Sequence, residues 1–207
     1  KNYSNKSYGE LTFRRALETS NNLVTLKIGL DLGLNSVNKF LDKINFYNNN
    51  YSNNTDVYST LLGAVENNLL NLAKSYSIFL NGGYIVEPSI IKKVVSNEGE
   101  LIINNEYFKC NYCSFSIEDR SYRIPIIKSQ KDNVISPQTS YQILNILEGA
   151  IERGTGKSLN KIDYPIAGKT GTTNDSKDLW FFGLTPRYVV GVYVGYDKPR
   201  SIGYKET

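Results

Sequence analysis

Histidine is absent from the 207 residues. That removes the commonest general base and the commonest zinc ligand. It also excludes a Ser-His-Asp or Cys-His site built from this chain alone, so any acyl transfer must move its protons through a lysine or a carboxylate. Methionine is absent too, and with Lys1 in first place the expectation is a piece of a longer protein. Cysteine occurs twice, in Cys110-Asn111-Tyr112-Cys113. Two thiolates do not complete a tetrahedral zinc site, and the neighbours Phe108, Ser114 and Phe115 lack the helical period of a thioredoxin-like pair. A local disulfide clip in an oxidising compartment and a pair of free thiols stand as equal readings. No apolar run approaches the roughly 18 residues of a membrane helix, and there is no signal peptide. Basic residues are scattered and the net charge is only +4, which gives nucleic acid little support. Neither a metal nor a cofactor is expected.

What is present centres on Ala167-Gly168-Lys169-Thr170-Gly171-Thr172-Thr173. Apolar chain flanks it, and it reads as a strand with a functional rim. Gly171 has no Cβ and lets another backbone approach. Lys169 supplies a point charge. Side chains alternate along a strand, so Thr170 and Thr172 share a face and offer two hydroxyls to a ligand carboxylate. An ordinary edge strand with a solvated lysine is the plainer reading of so short a motif.

The rest of the chain is read in order. Thr12 is an N-cap residue for a short helix through Phe13, Ala16 and Leu17. Ser20-Asn21-Asn22 interrupts it, since these residues favour caps and turns. A helix over Leu23 to Leu32 stops at Gly33. Val37, Phe40, Leu41 and Ile44 give the apolar face of a third helix. Asn48 to Thr55 reads as a surface loop. Leu69, Leu72, Ala73, Tyr76 and Leu80 form a further helical stripe, ended at Asn81-Gly82-Gly83. A hairpin follows, from Tyr84 to Val95 and back along Leu101 to Asn104. Residues 106–133 show no period and read as an irregular insertion. Ser136-Pro137 opens a strong helix buried through Leu144, Leu147 and Ile151. The motif strand, Asp178 to Leu184, and Tyr188 to Tyr196 complete an antiparallel meander, with the last given the apolar content of a central strand.

Several stretches together resemble the C-terminal part of penicillin-binding transpeptidases. They are Arg153-Gly154-Thr155-Gly156, the Ala167 to Asn174 motif strand, and Asp178 to Pro186. The run Val189 to Asp197 is similar to the bifunctional class A members, and Ala16 to Leu26 and Leu70 to Pro88 extend the likeness upstream. The family carries Ser-x-x-Lys, Ser-x-Asn and Lys-Thr-Gly in that order. Lys169-Thr170-Gly171 matches the third and Ser20-Asn21-Asn22 the second. Ser36-Val37-Asn38, taken to start a helix, and Ser52-Asn53-Asn54, in a loop, fit the second pattern only by composition. For the first motif, Ser89-Ile90-Ile91-Lys92 falls in the hairpin strand and Ser158-Leu159-Asn160-Lys161 in a turn. Both stand in the wrong order, so the nucleophile is expected outside this chain.

The resemblance implies an α+β fold of the serine β-lactamase and penicillin-binding-protein type. An antiparallel sheet packs with helices, its N-terminal strands and nucleophile helix missing here, so that Tyr188 to Tyr196 should present an unpaired apolar edge, and residues 1–207 are one portion of a single transpeptidase domain. It implies a peptidoglycan D,D-transpeptidase acting on stem peptides that end in D-Ala-D-Ala and blocked by β-lactams. The expected setting is extracytoplasmic, with an upstream glycosyltransferase domain and membrane anchor. Ser20, Asn22 and Lys169 would be catalytic, and Thr170, Gly171 and Thr172 would bind substrate. A catalytically silent fragment that binds cell-wall peptide or a partner chain remains the alternative, and an unrelated extracellular interaction domain is a third reading. The clip predicts that Cys110 and Cys113 both resist alkylation under denaturing, non-reducing conditions; intact mass checks this, and two added labels would exclude it.

Overall fold

The structure is a computed structural model that describes residues 9–47, 58–105, 108–111, 124, 126–129 and 132–203. Among these, no helix is long and apolar enough to cross a membrane. The chain begins with α1 (Phe13–Glu18), whose first turn is closed by Thr12 Oγ1 accepting from Arg15 N at 3.2 Å. Ser20 then takes φ 55, a left-handed conformation rare for a residue with a Cβ. This lets Asn21 fold back, its N–H bonding Ala16 O at 2.8 Å. Asn21 also caps α2 (Asn22–Leu32), its Oδ1 accepting from Val24 N at 3.1 Å. Ser20 is thus the tip of a tight turn between two helices, and Asn21, not Ser20 or Asn22, does the capping.

Gly33, at φ 78, ends α2 and starts α3 (Leu34–Lys43). Ser36 therefore lies inside α3 and does not start it. A 3-10 turn over Tyr58–Leu62 packs on α2, where Leu61 occupies the space a Cβ on Gly29 would need. Next is α4 (Leu69–Leu80), capped by Asn68. Its most buried residues are Lys74 and Ile78, not the Leu69 end of the expected stripe, which is exposed. Lys74 is neutralised by a direct hydrogen bond to Glu87, as a cation withdrawn from water requires.

The expected Tyr84 to Val95 strand is broken in two. β1 (Tyr84–Ile85) pairs with β6 (Asp132–Asn133), and only β2 (Lys93–Val95) pairs with β3 (Leu101–Asn104), with a bulge at Val94/Val95. Pro88 lies between the pieces, where the missing N–H of proline ends a ladder. Residues 106–133 are not wholly irregular either. β4 (Phe108–Asn111) and β5 (Ile126–Ser129) form an antiparallel pair, followed by β6. Periodicity misses such two-residue and four-residue strands because they are too short to show an alternation.

The long helix α5 (Pro137–Glu152) follows, with Ser136 Oγ accepting from Thr139 N at 3.1 Å. A 3-10 turn covers Lys157–Lys161. The sheet that matters for the site has order β7 (Ala167–Thr172), β8 (Asp178–Leu184), β9 (Val189–Gly195), all antiparallel. β8 is its centre. β9 has the apolar content of a central strand but stands at the edge, as expected with the neighbouring strands absent: Val190, Val192 and Val194 are 46–49% exposed, and among the described residues it pairs only with β8. Apolar content reports what a strand is suited to bury, not what covers it.

Two apolar clusters hold these parts together. Ile44, Ile78 and Val134 join α3 and α4 to the chain before α5. Leu147, Ala167 and Leu184 join α5 to the sheet, with Tyr76, Phe79 and Leu80 of α4 packed against them. α4 therefore belongs to both. Ser140 of α5 ties to its end, donating to Phe79 O at 2.8 Å, a carbonyl of the last turn of α4.

Gly83 is where α4 hands over to β1. Its φ is +94, and a Cβ there would sit 2.0 Å from the carbonyl oxygen of Ile135. Gly83→Ala combines left-handed strain with a backbone clash and is expected to cost more than about 2 kcal/mol. Chemical denaturation against the parent chain measures it, and a loss below half of that would show that the junction relaxes.

Candidate functional site

On β7, alternation puts Lys169 and Gly171 on one face and Thr170 and Thr172 on the other. Across the ladder Lys169 lies opposite Phe182 and Gly171 opposite Trp180. Gly171 has a reason internal to the sheet, since a Cβ there would come within 3.3 Å of Trp180 Cβ. Lys169 Nζ donates to Ser20 Oγ at 2.6 Å and to Thr170 O at 2.8 Å. Residues 149 positions apart are thereby joined, and neither acceptor is an anion. Burial alone pulls the ammonium down to about 8, because a cation withdrawn from water without a counter-ion is disfavoured. Asn22 opens α2 two residues after Ser20. Thr172 is exposed at the end of β7.

Thr170 Oγ1 donates to Thr155 Oγ1 at 2.8 Å. Thr155 N in turn donates to Glu18 O at 3.2 Å. Glu18 is 1% exposed, and Arg153 grips its carboxylate with two bonds, Nη2 to Oε1 at 2.6 Å and Nε to Oε2 at 3.1 Å. Donating to the Glu18 carboxylate pushes the Arg153 guanidinium further above its ordinary value. Gly149 makes the room: a Cβ there would lie 2.3 Å from Glu18 Oε1. Glu18, Arg153 and Thr155 carry no assigned role in the sequence reading. The signal was Arg153-Gly154-Thr155-Gly156, a pattern noted for likeness alone.

Beyond β7 the chain turns tightly. Thr173 Oγ1 accepts from Asp178 N at 2.8 Å, and Asp175 and Ser176 take φ 61 and 50. Asp178 accepts the hydroxyl of Tyr193 at 2.8 Å, which raises the pKa of that phenol. A cavity of about 780 Å³ opens beside this rim, with Val37, Leu41 and Leu61 among its lining residues together with Lys169, Trp180 and Phe182. Tyr76 stacks on Phe182 at 4.6 Å between ring centres, and Trp180 lies 4.5 Å from Tyr193. The wall is aromatic and the rim is polar.

The other candidates lie elsewhere. Ser89 is outside any strand, donating to Ile91 O at 2.7 Å, so its hairpin-strand placement is corrected. Ser158 is in the exposed 3-10 turn. Neither is on an α-helix, where residues three apart would share a face. Cys110 lies in β4 opposite Ile127, but Cys113 is outside the described residues, and so is the clip; Ser52 to Asn54 and the Asn48 to Thr55 loop are outside them as well. The assembled groups offer a cation, hydroxyls and exposed strand backbone on one rim, which suits an anionic, extended ligand.

A family model described as the penicillin binding protein transpeptidase domain matches residues 1–206. Penicillin-binding protein 1A of Rickettsia typhi is 39% identical over 210 residues, covering 100% of this chain and 26% of the relative. Penicillin-binding protein 1A of Neisseria flavescens is 33% identical, over 98% of this chain and 23% of its own length. The chain thus spans about a quarter of these curated relatives. The crystal structure of penicillin-binding protein 1A from Haemophilus influenzae aligns with a TM-score of 0.72 at 25% identity, over 96% of this chain and 32% of that one. A structure of PonA1 from Mycobacterium tuberculosis in complex with penicillin V aligns at 0.70 with 20% identity, over 97% of this chain and 52% of that one, and shares the fold. Matched almost end to end by that family model, and carrying its α+β fold with Lys169 of the motif strand set against Ser20, the chain belongs to the penicillin-binding protein transpeptidase domain family.

Proposed function

We propose that this chain is the carboxylate-binding and proton-relaying part of a peptidoglycan D,D-transpeptidase domain, working with a nucleophilic serine that these residues do not supply. The observation that carries the reading is the 2.6 Å contact between Lys169 Nζ and Ser20 Oγ. A lysine desolvated in this way is a poor structural element and a good anion receptor, and groups with such perturbed protonation gather at functional sites.

In this reading the external serine attacks the carbonyl of the penultimate D-Ala. The peptide bond breaks, the terminal D-Ala leaves with a proton, and an acyl-enzyme remains. An amine from a second stem peptide then attacks the ester, gives up its proton and completes the cross-link. Ser20 passes the proton toward the leaving nitrogen. Asn22 hydrogen-bonds the substrate backbone. Lys169 draws the terminal carboxylate and polarises the Ser20 hydroxyl. Thr170 and Thr172 donate hydroxyls to that carboxylate, Gly171 keeps the strand edge open, and Thr172 N–H supplies one donor of the oxyanion hole. The domain works on the extracytoplasmic side, alongside a glycosyltransferase domain and an anchor belonging to the longer protein. β-Lactams present the same carboxylate and acylate the same serine.

Two outcomes are expected. Incubated alone with a penicillin, the chain gains no mass; supplied with the preceding segment of the domain, it is acylated, and Lys169→Ala slows this by roughly ten- to a hundredfold, the worth of a hydrogen bond to a charged group. A stoichiometric gain on the isolated chain that disappears on replacing Ser89 or Ser158 would place the nucleophile here instead. Complementation that never produces acylation would favour the silent binding module.

The second outcome concerns pH. Lys169, with its pKa lowered by burial, is charged below about 8 and neutral above. A bound carboxylate favours the charged form, so affinity is full below that value and falls as pH rises through it, up to about tenfold per unit. Titration of an N-acyl-D-Ala-D-Ala peptide between pH 6 and about 9.5 reads this; a flat profile would remove Lys169 from carboxylate binding.

A further inference from the structure

We infer that Thr155 is a positioning residue for carboxylate recognition, its hydroxyl orienting that of Thr170, an inference that rests on the proposed carboxylate site. The contacts close a ring. Lys169 Nζ meets Ser20 Oγ at 2.6 Å, and Thr170 Oγ1 meets Thr155 Oγ1 at 2.8 Å. Thr155 N returns to Glu18 O at 3.2 Å, two residues before Ser20. The partners of two adjacent β7 side chains therefore hang from one point, Glu18, which Arg153 holds with two bonds. Gly154 shows how closely the turn is applied, since a Cβ there would lie 2.3 Å from Glu18 O. Thr155 is placed by backbone, not by chance of rotamer.

Counting protons gives the role. A threonine hydroxyl carries one proton, and a carboxylate only accepts. In the structure Thr170 gives its proton to Thr155. To donate to a ligand it must release that bond, and its oxygen then faces the Thr155 hydroxyl as an acceptor. Thr155 has a proton to give. The bound state is a two-step chain: Thr155 O–H donates to Thr170 Oγ1, and Thr170 O–H donates to the carboxylate. Each bond in such a chain strengthens the next. No covalent bond changes, and both hydroxyls keep one proton.

The test uses the full-length polypeptide that carries this domain, with acylation followed by intact mass. Two probes are compared, a penicillin with its free carboxylate and the methyl ester of that carboxylate. Thr155→Val keeps the shape and removes the hydroxyl; Thr155→Ser restores the hydroxyl without the methyl. The ratio of acid to ester acylation rates is expected to drop about three- to tenfold in Thr155→Val, the range for one neutral hydrogen bond, and to recover in Thr155→Ser. Because the ester reports folding and nucleophile on the same sample, a misfolded variant lowers both rates and leaves the ratio alone. An unchanged ratio in Thr155→Val, while Lys169→Ala still lowers it, overturns the role of Thr155 and leaves the carboxylate site standing. An unchanged ratio in Lys169→Ala as well would overturn the carboxylate site itself.

Discussion

The carboxylate of Glu18 has almost no access to water, and much of the site depends on how that is tolerated. Withdrawing a carboxylate from solvent costs several kcal/mol, offset only by well-placed donors. Here Arg153 supplies two bonds, one to each carboxylate oxygen, with Arg14 and Arg15 at 3.9 and 3.6 Å adding charge. Bidentate geometry tolerates little displacement, so α1 and the end of α5 are locked in register. Gly149 and Gly154 are the steric consequence, each lying where a side chain would strike Glu18. The turn carrying Ser20 and the turn carrying Thr155 leave this same joint. The two hydroxyls that meet β7 are therefore fixed relative to each other by contacts that do not involve β7.

β7 is fixed independently, from its other end. Ala167 is buried with Leu147 and Leu184, while Thr172 at the far end is exposed. The strand is anchored in the core at its start and offers its rim at its finish. Burial declines along it, and Lys169 falls at the middle, deep enough to lose hydration and shallow enough to meet a ligand. This position produces its lowered pKa. Local strain has gathered around the same place: Ser20, Asp175 and Ser176 all hold positive φ. Strain of this kind persists where surrounding structure over-determines it, and it is common at functional sites.

Much of the fold could be read from local chemistry. Thr12, Asn21, Gly33 and Ser136 mark helix ends because capping is decided by residues within three or four positions. The last three strands read correctly because alternation and turn residues are local as well. The failures share one cause. Tyr84 to Val95 looked like one strand, and residues 106–133 looked structureless, because a short ladder's existence depends on a partner elsewhere in the chain. β9 carries a central strand's composition, and its place at the edge followed from the family's sheet order and not from its own residues, because composition describes a strand's surface and not its neighbours.

The sequence by itself determined the inventory: no histidine, one Lys-Thr-Gly strand, one Ser-x-Asn turn between helices, and no Ser-x-x-Lys ahead of that turn. These are covalent facts, and they were enough to indicate which residues to watch and the family to expect. Only the tertiary structure decided that Ser20 and Lys169 touch, that Thr170 is committed to Thr155, and that a buried carboxylate at Glu18 ties both arrangements together. A buried Glu and an exposed Glu are written with the same letter. What separates them is the geometry of donors brought from residues up to 135 positions away, which no local pattern encodes.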